Sequence, residues 1–308
     1  MILCITPNPA IDRTVILPHL VLGDVHRAEK SIVAAGGKGL NVARTIRALD
    51  GQALNMGFLG GHTGQLLADL AQNEGLHSSW TWIKTETRTC TILVSQGGEA
   101  TEIDEPGVPV SKLDWKRLQR DVRKYVSAAS LSCVSGSLPP ESSPDDLRGL
   151  LRVLISSGRQ VWVDTSGTAL DTVLAFPGVC IKVNGHEIGQ SLGFEVRDGA
   201  SAQQALRLLS ERGLAAGLIT LGAAGALLAT NEGRWHAQGP SVRVVSTIGS
   251  GDSFLGGLVN ALENGKVWHE ALRDAVAAGT ANALSAGGGQ FSLQDFMAIR
   301  EQVQIYSW

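Results

Sequence analysis

From residue 112 onward, stretches of helical periodicity alternate with short runs of β-branched and apolar residues, and that alternation restricts the fold more than any other feature of the chain. Helices are expected over 112–128, 144–157, 168–175, 186–192 and 201–212, with strands at 131–134, 161–164, 180–183 and 218–221 between them. Strands separated by whole helices need crossover connections, which implies a mostly parallel sheet covered by helices on both faces. The pattern continues with a hairpin over 225–237 that turns at Asn231-Glu232-Gly233 and a strand at 242–246. A helix then begins at Gly249-Ser250-Gly251-Asp252, and helices 268–285 and 292–304 follow. Earlier in the chain, a strand at 2–6 is broken by Pro7 and Pro9, and a second strand is expected at 14–17. A helix follows from Leu40 to near Gly51, then a strand at 54–59 and a helix at 65–73. Stretches 80–84, 88–95 and 99–104 are β-rich and read as hairpins, with Gly97-Gly98 as a turn. The expected architecture is an α/β domain spanning residues 1–308. The β-rich pieces at 12–33 and 80–104 would form a small second sheet, which lies over the site as a lid or pairs with another subunit, because a few strands alone are marginal.

The charge balance narrows the partners. A net charge of -3, with charged residues at 18%, gives no basic face for nucleic acid and no acidic tail, so small polar ligands are expected. Cys4, Cys90, Cys133 and Cys180 stand far apart with neither zinc-ligand nor disulfide-framework spacing, as in reduced cytoplasmic proteins. The opening Ile2-Leu3-Cys4-Ile5-Thr6 lacks the basic flank and length of a signal peptide, and no apolar run reaches membrane-spanning length. The chain is therefore expected to be soluble and cytoplasmic.

Polar, glycine-rich segments follow the expected strands at 8–12, 135–137, 164–166, 184–185 and 249–252. In open parallel sheets, ligands gather at those carboxyl ends. The segment Gly249-Ser250-Gly251-Asp252 sets a carboxylate where a helix begins, and its backbone amides could converge on an anion at the positive end of the helix. A carboxylate in an anion nest repels the anion unless it serves the chemistry, for instance by taking a proton from an attacking hydroxyl. An ordinary helix cap would use the same residues. Gly36-Gly37-Lys38-Gly39-Leu40-Asn41 is a second glycine-rich helix start, with a cation and an amide suited to phosphate or hydroxyls. It is not a Walker A loop, and Pro7-Asn8-Pro9 stands where a dinucleotide fingerprint would require glycines.

Four motifs together carry a resemblance: Gly36-Gly37-Lys38-Gly39-Leu40-Asn41-Val42-Ala43, Ser135-Gly136-Ser137-Leu138-Pro139, Lys182-Val183-Asn184-Gly185-His186-Glu187 and Gly249-Ser250-Gly251-Asp252. Their order and spacing resemble the ribokinase-like sugar kinases. Within them the chain is most similar to the phosphofructokinase B branch of 1-phosphofructokinases and tagatose-6-phosphate kinases. The resemblance implies a ribokinase-like fold and a cytoplasmic, ATP- and Mg²⁺-dependent kinase that phosphorylates a ketohexose phosphate, paired as a homodimer through its β lid. It makes Asp252 the base, with Gly249, Ser250 and Gly251 as the anion hole. Asp12, Gly37, Lys38, Asn41 and Ser137 match substrate-side positions, and Arg27 and Arg88 are candidates for the phosphate already on the sugar. Lys182, Asn184, Thr220, Gly222, Gly225 and Asn282 match the nucleotide side, with Asn282 where a purine pocket should close. Asn184 and Glu187 match the element that organises magnesium through water, although Val183 replaces the usual proline and the same pair would make a capping box. A fructose-6-phosphate kinase, a kinase of an unphosphorylated sugar or nucleoside, and a sugar-phosphate-binding regulator without catalysis are the competing readings.

Overall fold

The computed structural model describes residues 1–95, 100–285 and 287–308, so the expected Gly97-Gly98 turn lies outside the described residues. The chain opens with β1 (Ile2–Thr6), β2 (Ala10–Leu17), β3 (Lys30–Gly36), α1 (Lys38–Ala48), β4 (Ala53–Gly60) and α2 (Gly61–Asn73). There follow β5 (Ser78–Ile83), β6 (Arg88–Ser95), β7 (Ala100–Asp104), α3 (Lys112–Arg123), β8 (Leu131–Ser135), α4 (Pro144–Ile155), β9 (Gln160–Asp164) and α5 (Gly167–Leu174). The rest comprises β10 (Cys180–Asn184), α6 (Gly185–Leu192), α7 (Gly199–Glu211), β11 (Ala216–Thr220), β12 (Ala226–Thr230), β13 (Arg234–Gln238), α8 (Ser250–Glu263), α9 (Trp268–Asn282), α10 (Leu293–Gln302) and β14 (Gln304–Ser307).

Among the described residues, ten strands form one sheet in the order β14-β13-β12-β11-β10-β9-β8-β1-β4-β5. It is parallel from β5 through β11, as the intervening helices require, and antiparallel where β12, β13 and β14 extend one edge. Each face carries its own apolar cluster. Leu3, Ile5, Trp115, Leu150 and Val163 belong to one, and Ile2, Cys4, Trp162, Leu255 and Ala275 to the other. Consecutive residues of β1 thus alternate between the two cores, and burial on both sides accounts for its unbroken apolar run. A smaller sheet, ordered β3-β2-β6-β7, packs the Ile11 and Ala35 end of its strands against Leu40, Leu59 and Leu67.

Several expectations need correction. Residues 80–84 do not join the smaller sheet: β5 pairs in parallel with β4 at the edge of the large one, and Thr81 donates to Asp121 of α3 at 3.1 Å. Residues 242–246 form no strand, since the edge of β13 that they could extend is occupied by β14. Val244 and Val245 stay more than half exposed, and the amide of Val245 bonds the carbonyl of Ala283 instead. The last helix stops at Gln302 to release β14, and α3 ends at Arg123 before a separate 3₁₀ turn at Val126–Ala128. Helix α2 begins at Gly61, earlier than expected, because the Glu86 carboxylate accepts from the amides of His62 and Thr63 and caps its first turn. No helix among the described residues is long and apolar enough to cross a membrane.

Candidate active site

Asp252 is the third residue of α8 and only 6% exposed. The helix starts tightly: Gly249 has φ +73°, and a Cβ there would lie 2.3 Å from the Cα of Gly288, so only glycine fits. The amide of Ser250 donates to the carbonyl of Thr247 at 3.1 Å, so of the three amides expected to make the nest, those of Gly249 and Gly251 remain. From α1, the side-chain amide of Asn41 donates to Asp252 Oδ2 at 2.8 Å. The two lie 211 positions apart in sequence and are brought together by the packing of α1 against α8.

Next to this pair is an ionic group that the motifs only partly disclosed. Asp164, at the carboxyl end of β9, is fully buried and accepts from Lys182 Nζ at 2.7 Å and from Lys38 Nζ at 3.4 Å. Lys38 also lies 3.9 Å from Glu187 Oε1. Burial works against the charge of Asp164, but Lys182 and Lys38 outweigh it and hold the carboxyl below its usual range. The negative charge of Asp164 in turn pushes the Lys38 ammonium above its usual pKa despite burial. Asp252 moves the other way, to about 6: burial is the main cause and the charge of Asp164 adds to it, while Lys38, Lys182 and the Asn41 hydrogen bond resist. Asp164 follows a strand and precedes a polar turn, but without its lysine partners in view that position carries no role.

Asp12 on β2 is raised to about 7, chiefly by burial; Arg44 and Arg88 oppose the shift, and Glu102 and Asp104 of β7 reinforce it. Gly36 leaves room for this carboxyl, since a Cβ on it would sit 2.1 Å from Asp12 Cγ. Gly37, with φ +115°, is the N-cap of α1. Arg88 is tied to the backbone carbonyls of Glu105 at 2.7 Å and Asn8 at 3.3 Å, and its buried Nε has no partner among the described residues. Asn8 in turn donates to the hydroxyl of Ser137 at 3.2 Å. Arg27 is exposed on the loop between β2 and β3, beside His19 and His26 around a cavity of about 400 Å³. No hydrogen bond or ion pair among the described residues ties it to the Asp252 group.

On the other flank, Asn184 and Glu187 form the capping box that opens α6, bonding each other's backbone amides at 2.8 Å. That leaves Glu187 Oε1 facing Lys38. Thr220 ends β11, and its hydroxyl lies 3.5 Å from the carbonyl of Val183. Gly222 is exposed with open space where a side chain would stand. Gly225, at φ +87°, would drive a Cβ to 2.0 Å from the carbonyl of Ala237. Asn282, expected where a purine pocket closes, is fully buried, and its amide is spent within the chain. It donates to the carbonyl of Ile248 at 2.8 Å and accepts from Ser253 Oγ at 3.0 Å and the amide of Gly289 at 2.8 Å, which clamps the segment leading into α8.

A buried carboxylate at a glycine-started helix, beside Lys38 at the start of α1 and Lys182 on the parallel strand β10, suits a phosphotransferase with an alcohol as acceptor. The family model of pfkB family carbohydrate kinases matches residues 6–295, and the chain belongs to that family. A 1-phosphofructokinase from Haloferax volcanii is 34% identical over 306 residues, covering 99% of this chain and 98% of its own. Phosphofructokinase-2 from Escherichia coli in complex with fructose-6-phosphate is 28% identical, with a TM-score of 0.90 over 97% of this chain and 98% of that one. The tetrameric inhibited form of the same enzyme gives a TM-score of 0.91 at the same identity and coverage.

Proposed function

We propose that the protein is an ATP- and Mg²⁺-dependent phosphohexose kinase that transfers the γ-phosphoryl of ATP to a hydroxyl of a ketohexose phosphate. Fructose 1-phosphate or tagatose 6-phosphate is the acceptor, and the product is the bisphosphate. The placement of Asp252 carries this reading: it is buried, raised to about 6 and held by Asn41, with Lys38 and Lys182 nearby. Asp252 takes the proton of the acceptor hydroxyl as that oxygen attacks the γ-phosphorus, and the bond to the bridging oxygen breaks to release ADP. The amides of Gly249 and Gly251 and the lysine charges stabilise the transferring group, so alignment and electrostatics supply most of the rate.

On the acceptor side, Asp12 and Asn41 orient the sugar hydroxyls, with Gly37 and Ser137 bordering them. Arg88, with its unpartnered buried Nε, and Arg27 hold the phosphate already on the sugar, which an unphosphorylated sugar or a nucleoside would not require. Thr220, Gly222 and Gly225 border the nucleotide. The donors near Lys38 suit magnesium: Glu187 Oε1 is not engaged by the capping box and points toward Lys38, and a carboxylate and an amide are oxygen ligands of the kind that leave the ion several waters. When bound through water to Asn184 and Glu187, Mg²⁺ offsets the charge of the phosphates. The smaller sheet closes over the sugar and pairs two subunits through exposed Leu22, Val25, Ile32 and Ile103; a monomeric mass in solution would remove that pairing. Four free cysteines are in keeping with work in the cytoplasm.

A coupled assay of ADP release with fructose 1-phosphate, tagatose 6-phosphate and fructose 6-phosphate tests the reading. Turnover is expected on one of the first two. No turnover on any phosphosugar or sugar overturns it.

A further inference from the structure

We infer that Arg44 is a positioning residue for the transfer: its guanidinium fixes the Asn41 amide so that this amide always donates to Asp252, whichever protonation state the base is in. The inference rests on Asp252 acting as the base. Arg44 follows Asn41 by three positions on α1, which puts both side chains on one face, and it is 9% exposed. Its Nη1 donates to Asn41 Oδ1 at 2.6 Å and to the carbonyl of Gly288 at 3.1 Å, Nη2 to the carbonyl of Ala35 at 2.7 Å, and Nε to Glu74 Oε2 at 2.6 Å.

A guanidinium has donors only, so Asn41 must present its oxygen to Arg44, and its nitrogen is left for Asp252 Oδ2 at 2.8 Å. An unpinned amide could turn over once Asp252 is protonated, accept that proton in a hydrogen bond and so stabilise the neutral acid. Arg44 removes this alternative. The carboxylate form is favoured, and Oδ1 is the oxygen left free to take the hydroxyl proton. The same guanidinium joins the end of β3, α2 and the Gly288 segment against which Gly249 packs, so the base, its donor and the helix start are held by one group.

The charged groups facing Asp252 are Asp164 from β9, Lys38 from α1 and Lys182 from β10; Arg44 faces Glu74 from α2 and acts on Asp12 of β2. Replacing Arg44 leaves the first three in place, and Arg44→Lys, which keeps the positive charge, separates the turning of the amide from the loss of that charge.

The test follows the Asp252 carboxyl by ¹³C NMR titration in the substrate-free protein, beside the pH profile of kcat/KM, in wild type, Arg44→Met, Arg44→Lys and Glu74→Gln. In Arg44→Met the Asp252 midpoint should rise from about 6 by roughly half a unit or more, with kcat down roughly tenfold or more and the sugar KM changed less. Arg44→Lys keeps the charge but not the fork and should behave similarly. Glu74→Gln, which slackens the anchor alone, should move the midpoint less in the same direction, and it serves if Arg44→Met fails to fold. A folded Arg44→Met with an unmoved midpoint overturns the inference, as does full rescue by Arg44→Lys or, where Arg44→Met does not fold, an unmoved midpoint in Glu74→Gln. The titration needs no turnover, so a wild type inactive on every phosphosugar would sink the substrate reading while leaving this arm readable.

Discussion

A base that must accept a hydroxyl proton near neutral pH serves best with a pKa close to the working pH, and the surroundings of Asp252 bring it to about 6 without neutralising it. Because the carboxylate is the active form, kcat/KM should fall as pH drops through about 6, about two units above where an unperturbed aspartate would place that limb. An acid limb near 4 in the pH–rate profile would remove the base from this position. Asp252→Asn keeps the shape and a partner for Asn41 but cannot take a proton, so kcat should drop by about 10²–10⁴ while sugar KM changes little; unchanged steady-state kcat would exclude the role. Gly36→Ala probes the acceptor side, because its methyl would occupy the space of the Asp12 carboxyl. Sugar KM should rise roughly tenfold with the nucleotide KM held, the loss of about one charged hydrogen bond, and an unaltered sugar KM would detach Asp12 from the substrate. Asp252, Asn41 and Lys38 were legible in the sequence because glycines that permit tight helix starts stand beside them. Asp164 and Arg44 were not, since their meaning lies in partners: Lys38 is 126 positions from Asp164, and the Gly288 carbonyl is 244 from Arg44.

Helix α8 can point Asp252 into the site only because Gly249 turns through a left-handed conformation against the backbone of Gly288, with Asn282 clamping both segments. Gly249→Ala therefore meets two obstacles, a positive φ that costs about 1 kcal/mol or more and a backbone neighbour that cannot rotate away. Urea unfolding should show a loss above that figure together with a sharp fall in kcat, whereas wild-type stability would mean that the turn relaxes freely. The same dependence on neighbours explains which elements the sequence disclosed. The strand–helix alternation from α3 to β11 was readable because β8 to β11 are buried along nearly their whole length while the helices between them keep an exposed face, so composition tracks burial directly. Residues 242–246 have the β-branched composition of a strand but no edge to join, and the short Gln304–Ser307 segment takes the place beside β13 with little composition to announce it. Residues 80–84 were correctly read as extended, yet which sheet they enter depends on α3 and β4, which no local pattern encodes.

Over the whole molecule, the groups that make the site useful weigh against the stability of the fold. The folded-state pKa values of Asp252 and Asp12 lie at about 6 and about 7, above the value of 3.8 expected when the chain is unfolded. The folded state therefore holds these protons longer than the unfolded chain does. Their contribution to stability is fully present below about pH 4 and is lost as pH rises through 6 and 7, by on the order of 3 kcal/mol for each group at pH 8. Asp164 runs opposite: its lowered pKa stabilises the fold above the unfolded value, and that gain is complete before the decline from Asp252 and Asp12 ends. At pH 8, Asp252→Asn removes one of three carboxylates from a group that also holds Lys38 and Lys182, leaving Asp164 and Glu187 to balance the two ammonium charges. The variant should thus melt roughly 2–4 °C above wild type at pH 8 and keep only about half of that gain at pH 5, even as its catalysis collapses. Calorimetry at the two pH values decides this: a lower melting temperature for Asp252→Asn at pH 8 would mean that the buried carboxylate stabilises the fold instead of straining it.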